Sequence, residues 1–335
     1  MLPAILGLSG LVLTDDERAL IRDADPAGFI LFARNCADKA QLRALTDSLR
    51  DLAGRADLTV LIDQEGGRVA RLRPPNWPAF PAAWRFAELY EKAPMSAIEA
   101  ARVNARLIGL TLAEVGINVD CMPVLDVRQE GAHDVIGDRA LGGEPMRVAA
   151  LGRAVLDGLE EGGAIGVVKH VPGHGRAGAD SHHELPLVDA DEEMLAVDIA
   201  PFRALADAPM AMIAHVLYPA WDPDRPASIS PTIIADVIRG RIGFDGLLMC
   251  DDIGMKALSG TLAESARAAI GAGCDVVLHC SGVAADNEEI ASALGKMGEK
   301  ASARLGRAMG RTGSGAPDAD VAKLTAKRDA LLAYA

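Results

Sequence analysis

Short apolar runs recur along the chain and alternate with amphipathic stretches. The runs are nearly continuous, which is typical of strands covered on both faces of a parallel sheet, whereas half-exposed strands alternate apolar and polar positions. We therefore interpret them as buried parallel strands. The predicted strands are Ala4–Leu8, Gly28–Phe32, Leu58–Ile62, Ile117–Cys121, Ala164–Lys169, Met210–His215, Gly246–Cys250 and Cys274–Leu278.

The stretches between these runs carry helix signals. Thr14 with Glu17, and Thr261 with Glu264, have the spacing of a capping box at a helix start. Three strands are preceded by a glycine at the position of a helix C-cap: Gly116, Gly163 and Gly273. Strands that alternate with helices in this way predict an α/β fold, a single (β/α)8 TIM barrel. An open, doubly wound sheet is also compatible with the pattern, because periodicity alone does not show closure.

The chain end differs in composition from the rest. Residues Thr312–Pro317 read TGSGAP, which is typical of a flexible connector, and a helical pattern follows from about Ala319. We expect one barrel domain over residues 1–312. Residues 313–335 are expected to form a linker and a helical tail packed on the barrel.

Polar residues follow most of the predicted strands. Barrel proteins gather their chemistry at the C-terminal ends of the strands, and charged groups there are costly to desolvate without partners. We therefore expect one shared polar pocket, formed by Asp63, Arg139, Lys169, His170, His215 and Asp251. Glycines in two of the same loops are expected to allow sharp turns or close approach to a ligand: Gly66, Gly67, Gly173, Gly175 and Gly178.

Charge and cysteine content narrow the class of partner. The formal net charge is -13, from 47 acidic and 34 basic side chains, so nucleic acid and anionic membranes are poor partners. The five cysteines are odd in number and form no CxxC pair, which favours reduced thiols in the cytoplasm over disulfides or zinc. The apolar start Met1–Leu13 has no basic region before it, so we interpret it as a strand and loop rather than a signal sequence.

Several motifs resemble one known family in the same order. KHVPGHG followed by DSHHELP is similar to the signature of family 3 glycoside hydrolases, in their bacterial β-N-acetylglucosaminidase branch. The resemblance extends from about Leu6 to His279, through GFILFARN, DQEGGRVARL, INVDCMPVLDV, IGDRALGG, AHVLYP and LLMCDDIGM. The resemblance implies a single barrel domain that needs no cofactor. It also implies an enzyme that removes terminal β-linked N-acetylglucosamine from muropeptide fragments. We expect a cytoplasmic monomer.

The resemblance also implies roles for individual residues. Asp251 corresponds to the nucleophile, which forms a glycosyl-enzyme and gives retention. His182 corresponds to the acid/base, with Asp180 holding its ring; His183 is the competitor for that role. Asp252 is interpreted as structural. Sugar-binding positions are Asp63, Arg71, Arg139, Lys169 and His170, with weaker expectations for His174 and His215.

Rival functions remain open from the residues alone. His170, His174, His182, His183 and Asp180 supply enough ligands for a zinc site. However, Pro172 and Gly173 separate the first two histidines, so these do not share a helix face, and the resemblance implies no metal. The same barrel is also compatible with a β-glucosidase, an N-acetylglucosaminide phosphorylase or a non-catalytic sugar-binding protein.

Overall fold

Eight parallel strands form a closed barrel in the order of the chain. The computed structural model describes residues 1–129, 131, 134–179, 181, 184–313 and 319–334. The strands are β1 (Leu2–Gly7), β2 (Pro26–Leu31), β3 (Thr59–Ile62), β4 (Val119–Asp120), β5 (Ile165–Val171), β6 (Met210–Ile213), β7 (Leu247–Asp252) and β8 (Val276–His279).

The register between the first and last strands closes the barrel. Ala4 pairs with Val277, and Leu6 pairs with His279. The (β/α)8 prediction is therefore confirmed, and the open sheet is excluded. Every predicted strand is present, with boundaries moved by a few residues. The fourth is the shortest, and the side chain of Asn118 adds to its pairing with β3: Asn118 Oδ1 accepts from the Val60 amide at 2.8 Å.

Helices connect the strands on the outside of the barrel. The α-helices are α1 (Asp15–Ala24), α2 (Lys39–Ala53), α3 (Trp84–Lys92), α4 (Pro94–Glu114), α5 (Pro145–Gly162), α6 (Glu192–Ala204), α7 (Leu262–Ala272), α8 (Ala284–Ala293), α9 (Glu299–Met309) and α10 (Val321–Leu332). A π-helix, Ile233–Ile242, takes the place of an α-helix between β6 and β7. No helix in the described ranges is both long enough and apolar enough to cross a membrane.

Local sequence signals explain several helix ends. Both predicted capping boxes form: Thr14 accepts from the Glu17 amide, and Thr261 accepts from the Glu264 amide. Gly163 and Gly273 end their helices with φ of 96° and 117°, a backbone region that disfavours any residue with a Cβ. Gly116, with φ 76°, comes one residue after the cap of α4.

Two apolar layers hold the barrel together. One cluster receives side chains from all eight strands, such as Ile5, Leu61 and Met249, and fills the barrel interior. The other lies between the strands and the helices, and includes Leu6 and Leu112. Ile5 and Leu6 are consecutive but belong to different layers, as expected when successive strand residues face opposite sides. Burial on both faces thus explains the continuous apolar runs.

The two final helices have different positions. Leu305 and Met309 of α9 join the interior cluster, and Arg307 donates to the carbonyl of Asp245 just before β7. Helix α9 therefore covers the N-terminal end of the barrel. Helix α10 packs against α4, where Arg328 is buried and its Nη1 lies 3.4 Å from Asn104 Oδ1. Of the expected connector Thr312–Pro317, only residues 312 and 313 lie within the described ranges.

Candidate active site

A cavity of about 220 Å³ opens where the strands end. Side chains that follow several different strands line it, as expected for the functional face of a barrel. Seven of the predicted site residues share this cavity: Asp63, Arg71, Arg139, Lys169, His170, His174 and Asp251. The apolar part of the lining includes Phe32, Met212 and Met255.

Asp63, directly after β3, lies between two cations. Its Oδ2 is 2.9 Å from Arg71 Nη2, and its Oδ1 is 3.1 Å from Lys169 Nζ. Burial opposes ionisation of Asp63, but Lys169 and Arg71 outweigh it, so its pKa lies below the usual value. Asp63 is therefore a carboxylate that can accept hydrogen bonds from hydroxyl groups.

Glu65 is a member of the site that the sequence interpretation missed. Its Oε1 is 2.7 Å from Lys169 Nζ. Both of its oxygens accept hydrogen bonds from Arg139: Oε1 from Nη2 at 2.8 Å, and Oε2 from Nε at 2.9 Å. Burial again opposes ionisation, but Arg139 and Lys169 outweigh it and lower the pKa of Glu65. The result is an alternating network in which Arg71, Asp63, Lys169, Glu65 and Arg139 follow one another.

Gln64 fixes the geometry of this network. Its Oε1 accepts from the backbone amides of Arg71 and Leu72, both at 2.9 Å, and its Nε2 donates to the Leu72 carbonyl. The backbone amide of Gln64 donates to Asp120 Oδ1 at 2.9 Å. Burial raises the pKa of Asp120 to about 8, and its Oδ2 has no partner among the described residues. A buried amide and a buried carboxyl group thus hold the segment that presents Asp63 and Arg71.

Two glycines shape the same segment. Gly66 and Gly67 have φ of 94° and 55°, which a residue with a Cβ rarely adopts. A Cβ at Gly66 would lie 2.3 Å from the Pro81 carbonyl oxygen, and one at Gly67 would lie 2.6 Å from Ala82 Cβ. The close approach at these glycines is therefore to the protein's own backbone and side chains.

His170 and His174 are held by Asp126, a second residue that the sequence interpretation missed. Asp126 Oδ2 is 2.7 Å from His170 Nδ1, while Oδ1 accepts from the His170 and His174 amides. Burial opposes ionisation of Asp126, but its contacts with the two histidines outweigh this effect and lower its pKa. Burial lowers the pKa of His174, which favours its neutral ring. Because Asp126 occupies Nδ1 of His170, Nε2 is the ring nitrogen left for a ligand in the cavity.

Asp251 lies at the end of β7 and lines the cavity. Its Oδ1 accepts from the backbone amide of Asp252 at 2.8 Å, and its Oδ2 has no hydrogen-bond partner within the described part of the chain. Asp252 is held differently, because its Oδ1 accepts from the amides of Gly254 and Cys280. The adjacent carboxylates therefore have different environments.

His215 departs from the expectation of one shared pocket. It is buried and does not line the cavity. Its Nδ1 is 2.6 Å from Ser228 Oγ, and its Nε2 is 2.9 Å from the carbonyl oxygen of Asp252. The carbonyl is an acceptor, so Nε2 carries the hydrogen. His215 supports the end of β7 rather than reaching the cavity.

The loop after β5 is anchored at its base. Arg176 Nε donates to Asp198 Oδ2 at 2.6 Å, and a Cβ at Gly175 would lie 2.0 Å from the Val127 carbonyl oxygen. Ser181 is buried and lines the cavity. The predicted acid/base group lies outside the described residues: Asp180, His182 and the competitor His183.

The structure gives no support to a metal site within the described ranges. No group of three or more described His, Cys, Asp or Glu residues is placed to hold a metal ion. His170 lies at the end of β5 and His174 in the loop that follows, with ring centroids 5.8 Å apart. The other three predicted ligands are those outside the described residues.

Comparisons with known proteins identify the family. Residues 6–312 match the family described as glycosyl hydrolase family 3 N terminal domain. The β-hexosaminidase of Aromatoleum aromaticum is 40% identical over 83% of this chain and 79% of its own length.

Solved structures show the same likeness. NagZ from Neisseria gonorrhoeae, in complex with N-trifluoroacetyl-D-glucosamine, has a TM-score of 0.88 and 31% identity, over 99% of this chain and 97% of its own. A family 3 β-N-acetylglucosaminidase from a Paenibacillus species has a TM-score of 0.88 and 31% identity, over 98% of this chain and 66% of its own. The chain therefore belongs to glycosyl hydrolase family 3, as a glycoside hydrolase of the β-N-acetylhexosaminidase type.

Proposed function

We propose that this protein is a retaining exo-β-N-acetylglucosaminidase, in which Asp251 forms a covalent glycosyl-enzyme. One observation carries the assignment of the nucleophile. Of the described carboxylates that line the cavity, only Asp251 has no contact with a basic side chain of the described residues, since Asp63 and Glu65 contact Lys169 and Asp252 contacts His279. Within the described part of the chain, its one hydrogen bond comes from the backbone amide of Asp252 on the same strand. A nucleophile needs such an oxygen, because an ion-paired or hydrogen-bonded lone pair attacks less readily.

The network around Asp63 supports a sugar-binding role. It offers a carboxylate acceptor and several charged donors, and charge-assisted hydrogen bonds are the stronger kind. We propose that Asp63, Arg71, Arg139, Lys169 and His170 bind the hydroxyl and acetamide groups of the terminal sugar. The cavity, at about 220 Å³, is smaller than the about 300–1,000 Å³ of sites for drug-sized ligands, which favours one sugar ring.

We propose His182 as the acid/base, with Asp180 as its partner. The described cavity supports this choice indirectly: its carboxylates other than Asp251 are engaged in ion pairs or amide contacts, so none is available as a proton donor. Ser181, which stands between the pair in sequence, lines the cavity. Imidazole suits proton transfer near neutral pH.

Water is the proposed acceptor of the glycosyl group rather than phosphate. A phosphorylase needs cationic donors that are free to bind an anion. Here Lys169 lies between Asp63 and Glu65, and Arg139 makes a two-point contact with Glu65. Lys169 and Arg139 are therefore already paired with carboxylates. Equal yields of free sugar with and without inorganic phosphate, and no sugar 1-phosphate, would agree with hydrolysis.

The proposed substrate is a muropeptide-type cell-wall fragment, and the proposed place of action is the cytoplasm. The motif resemblance supports the substrate. All five cysteines are free in the structure, which is typical of a reducing compartment.

The stereochemistry of the product tests this proposal. Proton NMR during hydrolysis of an aryl N-acetyl-β-glucosaminide should show the β-anomer of the free sugar first, since two displacements give net retention. The α-anomer as the first product would reject the covalent intermediate. Asp251→Ala should show no turnover at an unchanged melting temperature, and full activity in this variant would reject the nucleophile.

A further inference from the structure

A buried histidine outside the predicted site joins the end of β7 to the start of α8. His279, the last residue of β8, is 2% exposed. Its Nδ1 lies 3.3 Å from Asp252 Oδ1, and its Nε2 lies 3.3 Å from Asp286 Oδ2 and 2.8 Å from Ser281 Oγ. Nδ1 forms no hydrogen bond with a described residue, so it meets Asp252 by proximity alone. The ring therefore lies between two carboxylates.

The first of these carboxylates belongs to the residue that orients the proposed nucleophile. The amide of Asp252 donates to Asp251 Oδ1 at 2.8 Å. The carbonyl of Asp252 accepts from His215 Nε2 at 2.9 Å. The side chain of Asp252 meets His279 and the amides of Gly254 and Cys280. Asp252 is thus fixed through both its backbone and its side chain, and its amide holds Oδ1 of Asp251.

The electrostatics give His279 a second task. Asp251 and Asp252 are adjacent carboxylates, and like charges this close disfavour each other's ionised form. Burial also opposes ionisation of Asp252, but His279 and the two amides outweigh it, so its pKa lies below the usual value. An ionised Asp252 next to the nucleophile needs a nearby positive charge. Arg34, whose Nε donates to the Leu8 carbonyl, contributes only at longer range.

The contacts of the ring fit a positive charge. A neutral imidazole has one N–H and one lone pair, whereas the cation has two N–H groups. Both nitrogens of His279 face carboxylate oxygens, from Asp252 on β7 and from Asp286 on α8. Ser281 Oγ donates to Asp286 Oδ2 at 2.8 Å, so its hydrogen is already directed to that carboxylate.

The turn after β7 leaves space for this ring. A Cβ at Gly254 would lie 3.1 Å from His279 Cε1 and 3.3 Å from Asp252 Oδ1. Any side chain there would push against the ring or the carboxylate. The position of His279 is therefore specific and closely packed.

We propose that His279 is a positioning residue for the nucleophile: as a cation between Asp252 and Asp286, it holds Asp252 so that the Asp252 amide orients Asp251 and the paired negative charges are balanced. The inference rests on the proposed role of Asp251. It does not require His279 to touch the sugar, and His279 does not line the cavity.

The pH dependence of kcat/KM tests the inference. His279→Gln keeps a donor of similar reach but removes the charge, so the ionised form of Asp251 should become harder to form. We expect the acid limb of the profile to move up by about one pH unit, the size of effect expected for loss of a neighbouring charge. Asp286→Asn should move it in the same direction by less. Glu288→Gln, an exposed change on the same helix, is the control.

The outcomes separate the inference from the proposed function. An upward shift in His279→Gln and Asp286→Asn, with Glu288→Gln at the wild-type profile, supports the positioning role. Superimposable profiles would overturn it, even if the melting temperature falls, because a packing role changes stability and not the profile. An active Asp251→Ala would reject the nucleophile itself, whatever the His279 variants show.

Discussion

Lys169 Nζ lies closer to Glu65 Oε1, at 2.7 Å, than to Asp63 Oδ1, at 3.1 Å. The side chain of Lys169 is 3% exposed, so it reaches the cavity only as a member of this network. Its position therefore depends on Glu65 as much as on the carboxylate at the end of β3. Burial opposes a charge on Lys169, but the two carboxylates outweigh it and raise its pKa.

Neutralising Glu65 should weaken sugar binding. Glu65→Gln removes one of the two negative charges that contact Lys169. It also removes the charge from the two-point contact with Arg139. We expect KM for an aryl N-acetyl-β-glucosaminide to rise about tenfold or more, which corresponds to about 1.4 kcal/mol or more.

A matched control is available at the rim. Asp138→Asn breaks the exposed ion pair with Arg68, and such pairs contribute only about 0–1 kcal/mol. It should leave KM near the wild-type value. A wild-type KM in Glu65→Gln, with a normal melting temperature, would show that the network does not bind the sugar.

The buried carboxyl group of Asp120 should make stability fall as pH rises. Its folded-state pKa is about 8 and its ordinary value is 3.8, so the folded protein binds a proton that the unfolded chain has released. This contribution is fully present below about pH 4 and is lost as pH rises through about 8. Asp120→Asn has no such proton. We expect wild type to lose up to about 1.4 kcal/mol per pH unit relative to this variant across that window.

Thermal unfolding at a series of pH values checks this prediction. The melting temperature of wild type should fall against that of Asp120→Asn between about pH 5 and 8. Asp51→Asn, an exposed change on α2, should follow wild type at every pH. Parallel curves for wild type and Asp120→Asn would contradict a protonated Asp120 in the folded state.

Removal of the proposed acid should affect substrates unequally. His182→Ala should slow aryl glycosides with poor leaving groups most, because these need protonation as the bond breaks. Substrates with activated leaving groups should lose less. A plot of log kcat against leaving-group pKa should therefore be steeper than for wild type.

His183→Ala is the control, since it changes the neighbouring histidine in the same loop. We expect its plot to keep the wild-type slope. An equal loss for all substrates in His182→Ala, or a steeper plot for His183→Ala, would assign the acid to another residue.

The barrel could be predicted from sequence because its cause is local. Strands buried on both faces need continuous apolar runs, and charged residues mark their ends, as at Ile62–Asp63 and Cys250–Asp251. Helix starts could also be predicted, since the capping bonds of Thr14 and Thr261 lie within a single helical turn. What the pattern could not show was closure, which depends on pairing between the first and last strands.

The missed site residues act over long separations in sequence. Glu65 meets Arg139 across 74 positions, and Asp126 meets His170 across 44. No local spacing reports such contacts, although Glu65 stands only two residues after Asp63. His215 shows the converse limit. Like Asp251, His215 lies near the end of a strand. Its ring nevertheless faces the backbone of β7, because tertiary packing sets the direction of a side chain at a strand end.

Trapping the glycosyl-enzyme tests the role of Asp251 most directly. A 2-fluoro sugar with an activated leaving group should inactivate the protein, and peptide mass spectrometry should place one label on Asp251. Wild type and Glu288→Gln should both be labelled, and Asp251→Ala should not. A label on Asp252 or Asp63, or turnover in Asp251→Ala, would contradict the proposed mechanism.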